Sequence, residues 1–241
     1  MTASGAPATV PGRRADRPRA VVSWSTGKDS AWATEEIRRT GAFEVVGLLT
    51  TITKGFNRVS MHGVRREVLE LQAAAVGLPV YPVEIPNPCP NEVYERAMAA
   101  AVARLRSQSV ERIVFGDLYL EDIRRYREDR LRGTGVEPEF PLWCRDTRAL
   151  AAEMIAGGLR ATVVTVDPRV LPRSFAGREF DRSFVADLPP AVDPCGENGE
   201  FHTCVTASPS WPRPLPVCTG EVVDRDGFVF ADVVPTPDRS G

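Results

Sequence analysis

The stretch Val21-Val-Ser-Trp-Ser-Thr-Gly-Lys-Asp-Ser-Ala-Trp32 decides how this chain is read, because it joins an apolar run to a helical pattern through a turn of small polar residues. A Gly-Lys pair in such a turn suggests a Walker loop. That loop needs a glycine five positions before the Gly-Lys pair and a Ser or Thr directly after the lysine. Val22 and Asp29 occupy those positions, so the Walker reading fails at both. What remains is a buried strand, a short turn and a helix beginning near Asp29, a geometry that aims free backbone N–H groups at an anion. Ser25, Thr26, Gly27, Lys28, Asp29 and Ser30 add hydroxyl donors, a flexible glycine and one cation. Ser, Thr and Asp also cap helices without binding anything, and the strand and helix on either side favour phosphate binding over that plainer role.

Outward from this loop, β-rich runs alternate with helical patterns, as βαβ units with a parallel sheet require. The runs are Arg19 to Trp24, Glu44 to Ile52, Val80 to Ile85 and Arg112 to Phe115. Between them Val64, Val68, Leu71 and Ala75 recur at helical spacing, as do Tyr94, Met98, Ala101 and Leu105, each set forming one core-facing stripe. Glu121 to Arg132 is helical by pattern and heavily charged, with Glu121–Arg125 and Glu128–Arg132 as i,i+4 pairs on a solvated face. Asp146 caps a helix that stops at Gly157 and Gly158, and Ala161 to Val166 reads as a further strand, about where the parallel pattern ends. From Pro189 onward, prolines and the runs Glu200 to Val205, Val217 to Val223 and Phe228 to Val234 predict an irregular α+β portion with hairpins.

The length of 241 residues suits one large domain or a domain with a smaller appendage. A net charge of -2 argues against nucleic acid as an obligatory partner, since phosphate backbones demand a basic surface. Five cysteines, with no CxxC pair and no secretion signal ahead of them, fit a reduced, cytoplasmic compartment. No run approaches the roughly 20 apolar residues that span a bilayer. Residues 1–18 read as a flexible tail, 19–115 as a phosphate-binding α/β domain and 116–236 as a second, α+β domain.

Ser25-Thr-Gly-Lys-Asp-Ser30 resembles the SGGKDS loop of the PP-loop, or N-type, ATP pyrophosphatases, which cleave ATP between its α and β phosphates. Thr26 stands where that family usually has glycine. Three further stretches narrow the resemblance: Asn57-Arg-Val-Ser-Met-His-Gly-Val-Arg65, then Phe115-Gly-Asp-Leu-Tyr-Leu-Glu-Asp-Ile-Arg124 with Pro141-Leu-Trp143, then Asp193-Pro-Cys-Gly-Glu-Asn-Gly-Glu-Phe-His-Thr203. In this order they look like the branch that includes diphthine ammonia ligase and its bacterial relatives, over residues 19 to 205. The resemblance implies a HUP-like (adenine nucleotide alpha hydrolase-like) α/β fold, a parallel sheet sandwiched by helices with a smaller C-terminal α+β portion. It also implies ATP and Mg2+ as cofactors, and a ligase that adenylates a carboxylate, releases pyrophosphate and forms an amide with ammonia or an amine.

Under that resemblance Ser25 through Ser30 cradle the phosphates and Lys28 neutralises the leaving pyrophosphate. Asp29 holds magnesium or caps the helix. Leu49, Thr50 and Thr51 meet adenine through their backbone, and His62 and Gly116 join the nucleotide site. Asp117 ligates magnesium or contacts the acceptor, with a turn-forming aspartate as the plainer reading. Glu197 and Glu200 flank the turn signal Asn198-Gly199. They are either the exposed acids of a hairpin or the carboxylates that bind an amine and take its proton. Diphthine ammonia ligases usually have Glu-Thr or Glu-Ser where this chain has His202-Thr203, which leaves the acceptor open. Cys195, His202 and Cys204 match no common zinc spacing. The rival functions are a tRNA-modifying, thiolation-type PP-loop enzyme and a non-catalytic adenine-nucleotide module. No glutaminase-like segment is visible, so free ammonium is the simpler donor, and a homodimer is the oligomer allowed for.

Overall fold

The computed structural model describes residues 17–236, so most of the tail expected at 1–18 lies outside the described residues. The first strand, β1 (Arg19–Ser23), is buried along its centre and leads through the turn at 24–27 into α1 (Lys28–Thr40). Then follow β2 (Glu44–Thr53), the two-residue β3 (Arg58–Val59), α2 (Arg66–Val76), β4 (Val80–Ile85), α3 (Asn91–Ser107), β5 (Val110–Val114), α4 (Glu121–Leu131) and β6 (Glu137–Glu139). Strands β4, β2, β1, β5 and β6 lie side by side in that order, all parallel. The short β3 turns back against the end of β2. This is the HUP-like α/β arrangement that the sequence implied.

Alternate residues of β1 serve opposite faces. Ala20 and Val22 join one core with α1 and α2, whereas Val21 joins another with Val102 and Leu105 of α3. A strand covered on both faces reads as a continuous apolar run, which is why Ala20-Val-Val22 shows no alternation. Helix ends follow local chemistry. Gly41 (φ 64°) and Gly77 (φ 76°) terminate α1 and α2 in the left-handed region, their N–H groups returning to Ile37 O and Ala73 O. Asp146 caps α5 (Thr147–Ala156) by accepting from Ala149 N.

After α5, β7 (Arg160–Val166), a 3-10 turn (Arg173–Phe175), α6 (Arg182–Asp187), β8 (Phe201–Ala207), β9 (Val217–Arg225) and β10 (Phe228–Pro235) complete the described chain. The last three strands join β7 in a smaller antiparallel sheet ordered β8-β7-β10-β9. One apolar core continues from β1 and α1 through Leu150, Val163 and Phe201 to Val233, so the two sheets share an interior. The charged helix α4 buries only Leu131, but its ion pairs differ from the expected ones. Arg124 takes Glu128 while stacking on Phe140 and Trp143, and Arg125 and Arg132 reach one turn back to Asp122 and Asp129. No helix among the described residues is long and apolar enough to cross a membrane.

Candidate functional site

The turn after β1 opens onto a cavity of ≈ 250 Å³ at the carboxyl edge of the parallel sheet. Open α/β sheets place ligands at this edge, because the helix N-termini converge there. Ser25, Lys28, Asp29 and Ser30 come to its wall from the turn and α1, Gly116 and Asp117 from the end of β5, and His62 from the loop after β3. Cys195, Glu197, His202 and Thr203 arrive from the far side, on and before β8. Residues about 170 apart in sequence thus face one space.

Helix α1 starts with Gly27 as its N-cap and no side-chain cap. Asp29 therefore does not cap the helix; its carboxylate accepts from Lys28 Nζ at 3.0 and 2.9 Å. Lys28 itself is 2% exposed, and its Nζ also donates to Cys195 O and lies 5.5 and 5.4 Å from the ring centroids of Phe180 and Phe201. Burial alone would lower its pKa, but the Asp29 carboxylate beside it, with lesser help from Cys195 and Glu197, holds it above the ordinary lysine value. The ammonium is a fixed positive charge at the floor of the cavity.

Gly27 has no room for a side chain, since a Cβ there would lie 2.8 Å from the His62 ring. Thr26, by contrast, carries a β-branched side chain at φ 73°, in the region that favours glycine. Its carbonyl holds it there, accepting from Gln72 Nε2 at 3.1 Å and Val205 N at 2.9 Å. Gln72 also donates to Val205 O and accepts from Trp24 Nε1, and Lys28 N donates to Thr203 Oγ1, so α2 and β8 both clasp the turn. Thr26 Oγ1 is buried without a hydrogen-bond partner. Thr26→Gly should therefore stabilise the protein: left-handed strain of about 1–2 kcal/mol and an unpaired hydroxyl of about 1–3 kcal/mol outweigh about 0.5–1 kcal/mol of glycine entropy. A thermal melt rising by roughly 3 °C or more is the expected result, and a fall would show that the strain is absent.

The acids divide. Glu197 Oε1 accepts from Leu118 N at 2.7 Å and Tyr119 N at 3.4 Å, which fixes the carboxyl at the cavity wall. Burial, reinforced by Asp29 and Asp117 nearby, pushes its pKa up to about 7 against the pull of those N–H groups. Asp117 is held bidentately by Arg127, through Nε and through Nη2 at 3.0 Å. Arg127, on the helix face read as solvated, lines the cavity instead. Glu200 is not among the walls. It is 7% exposed, and its Oε1 accepts from Asp193 N at 3.0 Å and Asn198 Nδ2 at 2.9 Å, which closes the loop before β8. The Asn198-Gly199 turn thus does not carry two exposed hairpin acids.

Leu49, Thr50 and Thr51 also lie away from the cavity walls. Their backbone is engaged within the sheet, with Leu49 O accepting from Trp24 N and Thr51 O from Ser60 N, and Thr50 Oγ1 donates to Trp24 O. His62 and His202 stack with ring centroids 4.6 Å apart, and His62 Nδ1 lies 3.1 Å from Thr203 O. Burial lowers both pKa values, His202 to about 4, so the pair is neutral. Sequence reading singled out Lys28, His62, Asp117 and Glu197, named Thr203 only as part of the His202-Thr203 departure, ranked an arginine clamp on the helix at 124–132 second to a solvated face, and did not single out the Phe180 and Phe201 rings.

An uncapped helix start, the Lys28 charge and the Ser25 and Ser30 hydroxyls suit a polyphosphate. Magnesium fits a narrower way. Among the described residues no group of three His, Cys, Asp or Glu side chains is arranged to hold a metal ion by itself, so Asp29 and Asp117 could supply one or two ligands only alongside phosphate oxygens and water. All five cysteines are free.

Models of a diphthamide synthase N-terminal domain and C-terminal domain match residues 18–138 and 146–229, taking in Lys28 and Asp117 in one span and Glu197 in the other. Proteins named diphthine–ammonia ligase from Homo sapiens and Bos taurus are each 27% identical to the chain over 186 residues, covering 70% of it and 69% of their own length. The protein of that name from Danio rerio is 26% identical over 187 residues, covering 70% of this chain and 72% of its own.

Proposed function

Since the chain belongs to the diphthamide synthase family, whose two domains meet at this cavity, we propose that it is an ATP-dependent ligase forming AMP and pyrophosphate. The observation that carries the reading is the convergence of Lys28, Asp117 and Glu197 on one space from elements far apart in sequence. ATP lies with its phosphates over the start of α1, on the 19–115 side, and the 116–236 side supplies the acceptor wall. An acceptor carboxylate oxygen attacks the α-phosphorus. The bond from that phosphorus to the bridging oxygen breaks, and pyrophosphate leaves with the electron pair. Lys28, already positive and shielded from water, stabilises the charge that builds on it. Magnesium, when bound, supplies further neutralisation of the phosphates.

Glu197 is the group placed to take a proton from ammonium or from the attacking amine, since its Oε2 has no hydrogen bond among the described residues. The freed nitrogen lone pair attacks the acyl carbon, the bond to AMP breaks, and an amide forms. Glu200, closed within its loop, is a positioning residue in this scheme. The thiolation alternative needs a reactive thiolate near the phosphates. Cys195 is the cysteine at the wall, and burial pushes its thiol up to about 12, which keeps it protonated.

A base must be deprotonated to act, so amide formation should rise about tenfold per pH unit below pH 7 and flatten above it, following Glu197. Glu197→Gln should remove that limb and lower the rate by about 10²-fold or more while the KM for ATP holds. A wild-type profile retained in the variant would assign the proton to another group. The reaction class is tested by its products: ATP, ammonium and a mixture of small carboxylic acids should yield AMP and pyrophosphate. ADP and phosphate would overturn the ligase reading.

A further inference from the structure

A second cavity, ≈ 310 Å³, adjoins the first between the loop after β2 and the β9–β10 hairpin. Met61 and His202 line both, so the two spaces adjoin at these side chains. Its walls are largely apolar, built from Phe56, Val59, Met61, Phe228 and Phe230. Phe56 is 57% exposed and Met61 76% exposed, the largest exposures among the big hydrophobic side chains described. Met61 is held out by a left-handed backbone at φ 67°. Apolar surface of this kind around a concave space marks a place where something docks.

The charges in this cavity are of two kinds. Arg58 is committed, donating to Gly63 O at 2.6 Å and to Asp232 Oδ1 at 2.9 Å, and Arg65 shares the same carboxylate. Arg225 is not: its guanidinium lies over Phe230 at 4.6 Å from the ring centroid, and its nearest salt-bridge partner, the exposed Asp226, is 3.9 Å away. Among the described residues no acceptor hydrogen-bonds it. The cavity therefore offers one cation, Arg225, that no acceptor hydrogen-bonds among the described residues, beside the exposed Asp226 carboxylate that lines the same space at 3.9 Å, and its guanidinium already covers the Phe230 face.

We propose that this cavity seats a small carboxylic-acid acceptor with an apolar body and a second anionic group, the second anion being bound by Arg225. The proposal rests on the ligase reading above. The reacting carboxylate then passes His202 into the first cavity, toward the phosphates, while the apolar body lies against Phe56, Phe228 and Phe230. A neutral His202–His62 pair at the junction adds no charge that would hold the reacting group short of them.

Binding of three probes at pH 7.5 by calorimetry tests the proposal: 2-benzylsuccinate, 4-phenylbutanoate and (3-phenylpropyl)trimethylammonium. The dianion should bind at least roughly tenfold tighter than either of the others, as a charge-assisted contact implies. Arg225→Gln should reduce it to the level of the monoanion, and Arg225→Lys should keep part of the preference. Affinity for α,β-methylene-ATP should be the same in all three proteins. Equal binding of the probes, preference for the cation, or an unchanged preference in Arg225→Gln would overturn the proposal. So would a parallel loss of nucleotide affinity, which would give the cavity to ATP. Because these readouts involve no turnover, they fail separately from the ligase reading, which falls on formation of ADP.

Discussion

Lys28→Ala is expected to cut the formation of AMP and pyrophosphate by roughly 10²–10³-fold at every pH. In the proposed mechanism the side chain is the fixed positive charge beneath the leaving group, and the adjacent Asp29 carboxylate holds it protonated. The effect should fall on kcat more than on KM, because the charge it neutralises grows in the transition state. The same substitution strips Asp29 of its partner; because that carboxylate is 28% exposed at the cavity wall, the cost falls below the about 3–5 kcal/mol of a fully buried pair. Activity loss and partial unfolding must therefore be separated. Lys28→Met combined with Asp29→Asn removes both charges and keeps most of the volume; it should recover the melting temperature and not the turnover. Restored turnover in that double variant would place the electrostatic role elsewhere.

Gly116→Ala should be the second severe change. Gly116 follows β5 and passes against the first turn of α1 so closely that a Cβ would lie 2.8 Å from Asp29 C, 2.9 Å from Ser30 N and 3.0 Å from Asp29 O. These are backbone atoms, which cannot swing aside. Either α1 or the β5 end must shift, at a cost of about 1–3 kcal/mol. A displacement of about 1 Å between Lys28 and Asp117 is enough to lower turnover about 10²-fold. Gly220→Ala is the control, since its nearest neighbours would be at 3.4 Å. A wild-type melt and rate for Gly116→Ala would show that the strand end and helix are not in contact.

These two predictions mark what could be read from the chain and what could not. Lys28 and Gly116 were legible because strand, turn and helix are local patterns, and the end of a buried strand fixes where the next residues face. The cap at Asp146 follows from the same local chemistry. The strand β6 was not legible: Glu-Pro-Glu has neither apolar alternation nor a full donor set, and pairing with β5 alone makes it a strand. The pairing of β7 with β8 and β10 was hidden for a related reason, since register between distant strands leaves no mark within either. At the site, Arg127 looked like one charge among many on α4 until the fold set it against Asp117. Glu200 looked equivalent to Glu197, and only the closure of its loop turned one acid inward to Asp193 and left the other at the wall.

The clasp on Thr26 has a consequence for recombination. The turn after β1 owes its shape to Gln72 within the 18–138 span and to Val205 and Thr203 within the 146–229 span. The two matched modules are therefore not exchangeable parts. A chimera that keeps the first and imports the second from a relative also imports half of the scaffold that bends the phosphate loop. Such hybrids should be judged first by whether the imported module keeps a hydroxyl at position 203 to accept from Lys28 N, since Val205 contributes only its backbone.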